Sequence, residues 1–494
     1  MTATDFAADR SQVKQRIQEA RADAAESRVA QPKDLRRPPG LGRVAAMRAV
    51  GLGARGDMGL FTALFAEQPI GYARVGPEHL YCLSDPEDIK KVFITNGKHM
   101  RKGKALRATR PMFGDGLLLS DGEDHLRNRR LVQPAFHHKQ IQQYSVMMQA
   151  AIDRLDARWQ SRVAAGESQV IVADEMSALT LDIVGQTLFG ADLTDEAGEV
   201  GEALSDALTA FSRIISPVGF LLLRLPSRTK KRLISAVATL DGVMRELISA
   251  KRAALAAGTG SHDALAMLIQ AQDAETGVTL TDSQVRDELI TLFLAGHETT
   301  AMLLSWTWLE LALNPDIKSW VSQEWDDLAG DAAGISPNQM PRTNALVAES
   351  MRLHPPAWII GRESQVDLEV GGYELPAGST ILASQYFTHR DPRFWQEPTR
   401  FNPTRWLDAD GHYSEQAPGQ PRHSYFPFGF GARKCIGDQF AWTEAVIALA
   451  MLGQRWHVTP VAPSEVVPEA IITLRPENGI PARIRRRAQE LDSA

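Results

Sequence analysis

Cysteine is almost absent from this chain, which has Cys82 and Cys435 in 494 residues. A protein of this length can bury a large core without crosslinks, so a disulfide scaffold is excluded and nothing indicates an oxidising compartment. An excess of positive charge is also lacking, because the formal net charge is −6, and this argues against nucleic acid as a partner. No uninterrupted run of about 18 apolar residues occurs, so we expect a cytoplasmic protein without a transmembrane anchor. A peripheral membrane contact near residues 211–225 stays open, because Val218 to Leu223 is the most hydrophobic short stretch.

The composition predicts a tail followed by one large domain. Residues 1–45 are expected to form a helical tail and a Pro-rich hinge, because Pro38-Pro39-Gly40 cannot continue a regular element. Residues 46–494 show no further break, so the predicted fold class is mainly α with a small β portion in a single domain. Hydrophobic periodicity predicts helices at 138–165, 173–190, 196–214, 228–257, 282–313 and 341–354, and a last one from Cys435 to about Leu452. Strands are expected around 70–83 and 366–383, with a turn at Gly371-Gly372, and a closing hairpin over 471–479.

Cys435 lies in a glycine-rich turn just before the last predicted helix. Glycine allows the positive φ angles of a tight turn and lets the backbone approach a flat ligand closely. A cysteine at a helix start can be held as a thiolate by unpaired N–H groups and the helix dipole. A buried Arg433 would need an anionic partner such as a carboxylate. Together these features favour an iron porphyrin held through sulfur. The alternative is an inert buried cysteine in an ordinary strand–helix turn.

The segment from Phe428 to Gly437 resembles the haem-binding signature of cytochromes P450, Phe-x-x-Gly-x-Arg-x-Cys-x-Gly, at every position. The similarity extends over roughly residues 55–485, through further motifs in the family's order. It implies the helix-rich cytochrome P450 fold, haem b (iron protoporphyrin IX) as the cofactor and Cys435 as the iron ligand. It also implies that Phe428, Gly429 and Gly437 lie against the haem.

A polar centre interrupts the apolar helix predicted over 282–313, at Ala295-Gly296-His297-Glu298-Thr299-Thr300. Glycine and threonine lower helix propensity there, and threonine hydroxyls can bond back to carbonyls one turn earlier and open the helix. The alternative is a kinked helix packed against the core. The sequence resembles the family's acid–alcohol motif, which implies catalytic roles for Thr299, as holder of the hydrogen-bond network at bound oxygen, and Glu298, as proton relay. His297 is expected on the helix exterior rather than at the iron.

Two further groups of charged residues follow from the resemblance. Glu349 and Arg352 stand three positions apart on one helix face, and Arg405 matches the arginine that joins this pair in the family, so we expect a structural ionic triad. The haem propionates require cations, and the family pattern assigns them to His125, Arg129, Arg362 and Arg433. A basic surface for an acidic electron-transfer protein would then comprise Arg127, Arg130, His138, Lys139 and Lys434.

The resemblance also places a mainly apolar substrate pocket, expected to be lined by Leu117, Leu118, Phe293, Ala295, Trp358, Ile359, Ile360, Ile471 and Ile472. Such a site suits a fatty acid, a terpenoid or a similar lipophile, and the sequence does not choose between them. The expected reaction inserts one atom of O₂ into this substrate. No nucleotide-binding or cysteine-cluster domain follows Cys435, so a separate ferredoxin and ferredoxin reductase are expected to supply electrons. A peroxide-using or rearranging haem-thiolate enzyme is one alternative, and a non-enzymatic haem sensor is another.

Overall fold

A computed structural model describes residues 38, 40–41, 58–65, 69–75, 78–190, 228–259, 263–328, 337–415, 419 and 422–487. The helix expected over 196–214 and the surface near 211–225 lie outside these residues, as does most of the expected tail and hinge. The division at residue 45 therefore stays a prediction.

Helices form most of the described chain, as the periodicity predicts. The predicted helices that fall within the described residues are present, with ends shifted by a few residues. Among the described residues the α-helices are α1 (Gly59–Phe65), α2 (Pro86–Lys90), α3 (Lys104–Arg107), α4 (Arg110–Phe113), α5 (Gly122–Val132), α6 (His138–Ala164), α7 (Val172–Val184), α8 (Arg228–Ala256), α9 (Ala264–Gln270), α10 (Asp282–Leu313), α11 (Pro315–Asp326), α12 (Pro341–Leu353), α13 (Gln385–Thr388) and α14 (Asp438–Arg455).

Within the described ranges the β portion is small and divides into four sheets. Its strands are β1 (Gly40–Leu41), β2 (Ile70–Val75), β3 (Glu78–Leu83), β4 (Met100–Lys102), β5 (Gln169–Ile171), β6 (Ile360–Ser364), β7 (Leu368–Val370), β8 (Tyr373–Leu375), β9 (Thr380–Ala383), β10 (Trp456–Pro460), β11 (Pro468–Ala470), β12 (Leu474–Pro476) and β13 (Pro481–Arg486). The largest sheet has the order β1-β2-β3-β9-β6-β4, and a second has the order β10-β13-β5. The pairs β7–β8 and β11–β12 form two small hairpins.

The expected Gly371-Gly372 turn joins β7 to β8, and both glycines have positive φ angles of 56° and 79°. The closing hairpin differs from the prediction in its position. Its strands are β11 and β12, so residues 471–473 form its turn rather than a strand. The residues after Asn478 belong instead to β13, which pairs with β10 and β5. The apolar pair 471–472 suggested a strand because a short apolar run looks the same in sequence whether it forms a strand or a turn.

Helix α10 runs through the centre of the molecule. Its start is fixed by a capping box, in which the Gln284 N–H donates to Thr281 Oγ1 and the Thr281 N–H donates to Gln284 Oε1. From Val285 to Leu311 every residue is buried except Ala295, Gly296 and Thr299. A helix that is buried on all sides lies inside the core rather than on its surface. Helices α6, α7, α12 and α14 contribute to the hydrophobic cluster that surrounds its second half.

Candidate active site

The turn that carries Cys435 has the geometry its glycines suggest. Gly429 and Gly431 have φ angles of 72° and 58°, which are unfavourable for other residues. The Cys435 N–H donates to the carbonyl of Phe428 at 2.9 Å, which closes the loop. Gly437 is the N-cap of α14, so the cysteine stands just before the helix. The sulfur is thus presented from a backbone loop that is fixed at both ends.

Burial opposes the thiolate that the helix start is expected to favour at Cys435. Burial raises the pKa of the thiol to about 11, and the hydrogen bond from the Gly437 backbone lowers it only in part. Nevertheless the side chain retains accessible surface. The thiol is therefore surrounded by protein atoms, while the residue still keeps accessible surface. A bound metal cation is what would deprotonate such a thiol.

Two accessible residues of α10 share one face of the helix. Ala295 and Thr299 are one helical turn apart and so share a face, and they keep accessible surface where their neighbours are buried. The next residue, Thr300, interacts with Glu444, which lies in the first two turns of α14 after the cysteine loop. This contact between α10 and α14 brings the Thr299 region close to the region of Cys435.

The threonines of the polar centre make the predicted back-bonds, but the helix does not open. Thr299 Oγ1 donates to the carbonyl of Ala295 at 2.7 Å, and Thr300 Oγ1 donates to that of Gly296 at 3.3 Å. The helix nevertheless stays α-helical from Asp282 to Leu313. The expected local opening is therefore wrong for this structure. Burial of the helix on all sides outweighs the low propensity of the segment.

His297 is buried and does not lie on the helix exterior, so that prediction is wrong. It is 7% exposed, and its ring stacks on Phe293 with centroids 6.2 Å apart. Burial lowers the pKa of the imidazole to about 4, so the ring is neutral at pH 7. The prediction failed because it assumed a solvated face on a helix that proves to be enclosed.

Glu298 is also buried, and its contacts reach the hairpin β11–β12. Its Oε1 accepts a hydrogen bond from Thr473 Oγ1 at 2.7 Å and forms an ion pair with the guanidinium of Arg475. Neither partner follows from the sequence, since Thr473 and Arg475 stand about 175 positions away. The acid and the alcohol of the motif therefore point in different directions, with Thr299 on the accessible face of α10.

The expected propionate ligands gather in one positively charged cluster. The pKa of His125 falls to about 3, first through burial and then through the charges of Arg433, Lys102, Arg129 and Arg362. Burial, and next the neighbouring Arg433, lower the pKa of the Arg362 guanidinium to about 10. Cations that oppose one another in this way are stable together only beside anions.

Asp121 is the carboxylate that this cluster meets among the described residues. It accepts from Arg433 Nη2 at 2.5 Å, while Arg433 Nη1 donates to the carbonyl of Ser120 at 2.6 Å. One carboxylate does not balance the basic side chains, whereas the two propionates of a haem would. The cation cluster and the accessible Cys435 therefore fit haem b, which Cys435 would bind through its sulfur and these cations through the propionates.

Lys102 is a member of the cluster that the sequence analysis missed. It is 7% exposed, and its pKa is lowered well below the ordinary value by burial, then by Arg362 and Arg433. Strand β4 places it directly opposite Arg362 in β6. One lysine at the end of a three-residue strand carries no spacing signal, so only the strand pairing reveals it.

The ionic triad has two members in the core, Glu349 and Arg352, while Arg405 is half-buried. Arg352 and Glu349, both 0% exposed, form two hydrogen bonds of 2.8 Å, and Arg405 Nε donates to Glu349 Oε1 at 3.1 Å. Trp406 Nε1 and the Asn402 N–H also donate to the Glu349 carboxylate. Full hydrogen bonding is what allows such charges to be buried. The triad thus joins α12 to the segment that leads to the cysteine loop.

The expected pocket residues fall into two groups. Phe293 and Trp358 are 1% and 4% exposed and pack in the hydrophobic core. Phe293 stands two positions before Ala295, about 200° around the helix, so the two cannot face the same side. Leu117 is also buried. The residues that keep accessible surface are Leu118, Ala295, Ile359, Ile360, Ile471 and Ile472.

The expected basic surface is largely balanced by acidic neighbours. Arg130 pairs with Asp273 at 2.9 Å and with Glu275 at 3.1 Å. Arg127 pairs with Asp124 and Lys434 with Asp438. His138 and Lys139 are exposed at the start of α6. The positive field of this surface is therefore weaker than the count of basic residues suggests.

The fold and the site define a class of helix-rich enzymes that hold haem through a cysteine thiolate. The family model of cytochrome P450 matches residues 38–480. The chain therefore belongs to the cytochrome P450 family and is a monooxygenase with haem b as its cofactor. Among the described residues, no helix is both long and apolar enough to cross a bilayer.

Several relatives resemble the chain over most of its length. Cyclooctatin synthase of Streptomyces melanosporofaciens is 35% identical over 85% of this chain and 90% of its own. Cyclooctat-9-en-7-ol 5-monooxygenase of the same organism is 32% identical over 78% of this chain and 82% of its own. Pentalenene oxygenase of Streptomyces avermitilis is 32% identical over 85% of this chain and 91% of its own.

Proposed function

We propose that this chain oxidises a terpenoid and receives its electrons from a separate ferredoxin and ferredoxin reductase. The observation that carries the proposal is the accessible face of α10 at Ala295 and Thr299, which is small and apolar apart from one hydroxyl. Leu118 and Ile472 pack on the hydrophobic cluster that contains Phe293 of the same helix. A site of this kind suits a compact hydrocarbon skeleton. The names of the three bacterial relatives refer to cyclooctatin, cyclooctat-9-en-7-ol and pentalenene, which favours terpenoids over fatty acids.

The residues of the chain have separate roles in this proposal. Bound haem supplies the activation of O₂, in which one oxygen atom enters the substrate and the other leaves as water. Cys435 provides the sulfur ligand. Lys102, His125, Arg129, Arg362 and Arg433 hold the propionates.

The proton-delivery roles rest on Glu298 and Thr299. Thr299 Oγ1, whose hydrogen points to the Ala295 carbonyl, keeps lone pairs that accept from a water molecule on the accessible face. Glu298 passes protons from solvent to that water. A peroxide-using enzyme is the second candidate, but it does not need this acid and alcohol, and both are present.

The test is a reconstitution of the full-length haem protein with NADPH, a ferredoxin and its reductase. Sesquiterpene and diterpene hydrocarbons and alcohols are compared with fatty acids of similar size, by type I spectral shift and by product analysis. The proposal expects the shift and an oxidised product with a terpenoid. Shifts and products with fatty acids alone would contradict the substrate class. Equal product yield with hydrogen peroxide and no NADPH would favour the second candidate.

A further inference from the structure

The acid of the polar centre is held by the hairpin β11–β12 through two side chains. Thr473 Oγ1 donates to Glu298 Oε1 at 2.7 Å, and Arg475 Nη2 forms an ion pair with the same oxygen. Arg475 Nε also donates to Thr473 Oγ1 at 3.4 Å, so the three side chains form one hydrogen-bonded group. Glu298 and Thr299 are consecutive residues of α10, so their side chains leave the helix about 100° apart.

The surroundings of Glu298 make Arg475 the partner that matters for its charge. Glu298 is 6% exposed, and the adjacent His297 is neutral because burial lowers its pKa to about 4. The Arg475 side chain is 34% exposed. The guanidinium therefore lies between a buried carboxylate and solvent, where it compensates the negative charge and marks the side from which water reaches the acid.

Hydrogen bonds attach the hairpin β11–β12 to the core, so the backbone that carries Thr473 and Arg475 is held in place. Trp306 Nε1 donates to the Leu474 carbonyl at 2.8 Å, and the Leu474 N–H donates to the Pro356 carbonyl at 3.0 Å. Trp358 Nε1 donates to the Ile471 carbonyl at 3.1 Å. These anchors enclose the turn 471–473. The turn carries Thr473 and also the two accessible residues Ile471 and Ile472.

We propose that Arg475 and Thr473 are positioning residues for the reaction, which hold the Glu298 carboxylate directed towards solvent between proton transfers. The inference rests on the proposed relay role of Glu298. In each transfer the Glu298 carboxylate takes a proton from solvent water at the Arg475 side. It then gives that proton to the water held by Thr299 and returns to its ionised form beside the guanidinium. Arg475 itself stays protonated throughout, because an arginine does not release its proton in this range of pH.

The test compares Arg475→Gln, Arg475→Lys and Thr473→Val with Arg483→Gln as the matched control, since Arg483 is an exposed arginine on the neighbouring strand β13. Coupling, meaning product formed per NADPH used, is measured across pH together with kcat and KM. Arg475→Gln should lower kcat and coupling several-fold with little change in KM. Its pH profile should move to higher pH, because a buried carboxylate without its cation takes up a proton more readily. Arg475→Lys should restore most of the coupling, and Arg483→Gln should behave as the unmodified protein.

The comparison with Glu298→Gln separates this inference from the relay role. Full coupling in Glu298→Gln would show that Glu298 is not a proton relay, and the positioning role of Arg475 and Thr473 would then be wrong as well. If Glu298→Gln uncouples the enzyme while Arg475→Gln and Thr473→Val match Arg483→Gln, the positioning role alone is wrong. Adding Arg475→Gln to Glu298→Gln should produce no further shift of the pH profile. The ferrous–CO spectrum of each variant reports its folding, and if Arg475→Gln fails to fold, Arg475→Lys and Thr473→Val decide.

Discussion

At the scale of single residues, Thr299 illustrates how a helix can present a hydroxyl to an interior site. The back-bond to the Ala295 carbonyl uses the hydrogen of the hydroxyl and fixes the direction of its lone pairs. The same residue keeps accessible surface in a stretch of α10 that is otherwise buried. Its contribution should therefore be to hold water rather than to donate a proton directly.

Replacement of Thr299 by alanine should separate electron use from product formation. Without the hydroxyl, the water that receives protons is no longer held, and reduced oxygen leaves as hydrogen peroxide. We expect product per NADPH to fall about ten-fold, which is a modest part of what positioned proton transfer contributes. Thr299→Ser is the matched control because it retains the hydroxyl. Unchanged coupling in Thr299→Ala, measured by NADPH, peroxide and product, would show that the hydroxyl has no such role.

Removing one cation from the cluster should have opposite effects on two forms of the protein. It should stabilise the haem-free protein and weaken the binding of haem in the haem-bound protein. Arg362→Met removes a charge that opposes Arg433 and Lys102, so the haem-free protein should gain thermal stability. The same change removes a propionate partner worth about 1.5–3 kcal/mol, so haem should leave roughly 10 to 100 times faster.

The rate of haem loss is measured by haem transfer to an excess of apomyoglobin. The gain in stability is measured by a thermal melt of the haem-free protein. Lys102→Met should behave as Arg362→Met does, and Lys139→Met, at an exposed position on α6, should change neither quantity. Equal haem loss from all three variants would show that the cluster does not hold the propionates.

At the scale of elements, side chains of α10 hold the segment that follows α4. Arg286 Nη2 donates to the Met112 carbonyl at 3.1 Å, and the Leu117 N–H donates to Glu288 Oε2 at 2.9 Å. The Asp115 N–H donates to Asp287 Oδ2 at 2.9 Å. These contacts attach to α10 the segment that carries Leu117 and Leu118, two of the residues expected to line the pocket.

Glu288 makes this attachment dependent on pH. Burial raises its pKa from an ordinary 4.5 to about 7. The folded protein therefore binds this proton more tightly than the unfolded chain, and the stability it contributes is complete below pH 4.5 and is lost as the pH rises through 7. The free energy of unfolding that is lost between these two pH values amounts to about 3 kcal/mol.

Glu288→Gln, which cannot ionise, should therefore gain stability relative to the unmodified protein as the pH rises from 5 to 8. Thermal melts at both pH values measure the difference. Glu167→Gln, at an exposed site, should show no such trend. A difference between Glu288→Gln and the unmodified protein that stays constant with pH would contradict the assignment.

At the scale of the whole molecule, local patterns predicted the helices and the cysteine loop. The period of apolar residues is a property of neighbouring positions, so the bounds of α6, α8, α10 and α12 follow closely from the sequence. The glycines around Cys435 likewise indicate a turn without reference to the rest of the chain. The same local information explains why the mainly α fold class is confirmed.

Contacts between distant segments could not be predicted in this way. Lys102 joins the cation cluster only because β4 pairs with β6, and Arg475 meets Glu298 only because the hairpin packs against α10. His297 was expected outside because nothing in its sequence neighbourhood reveals that its side of α10 is buried. These residues depend on the packing of elements that lie far apart in sequence.

The ferrous–CO spectrum is the direct test of the proposed bond between the sulfur of Cys435 and the haem iron. The purified protein should show the strongly red-shifted Soret band of a thiolate ligand. In Cys435→His, the band should move to the position of a nitrogen ligand. A nitrogen-type band in the unmodified protein, or a red-shifted band that survives in Cys435→His, would contradict coordination of the iron by Cys435.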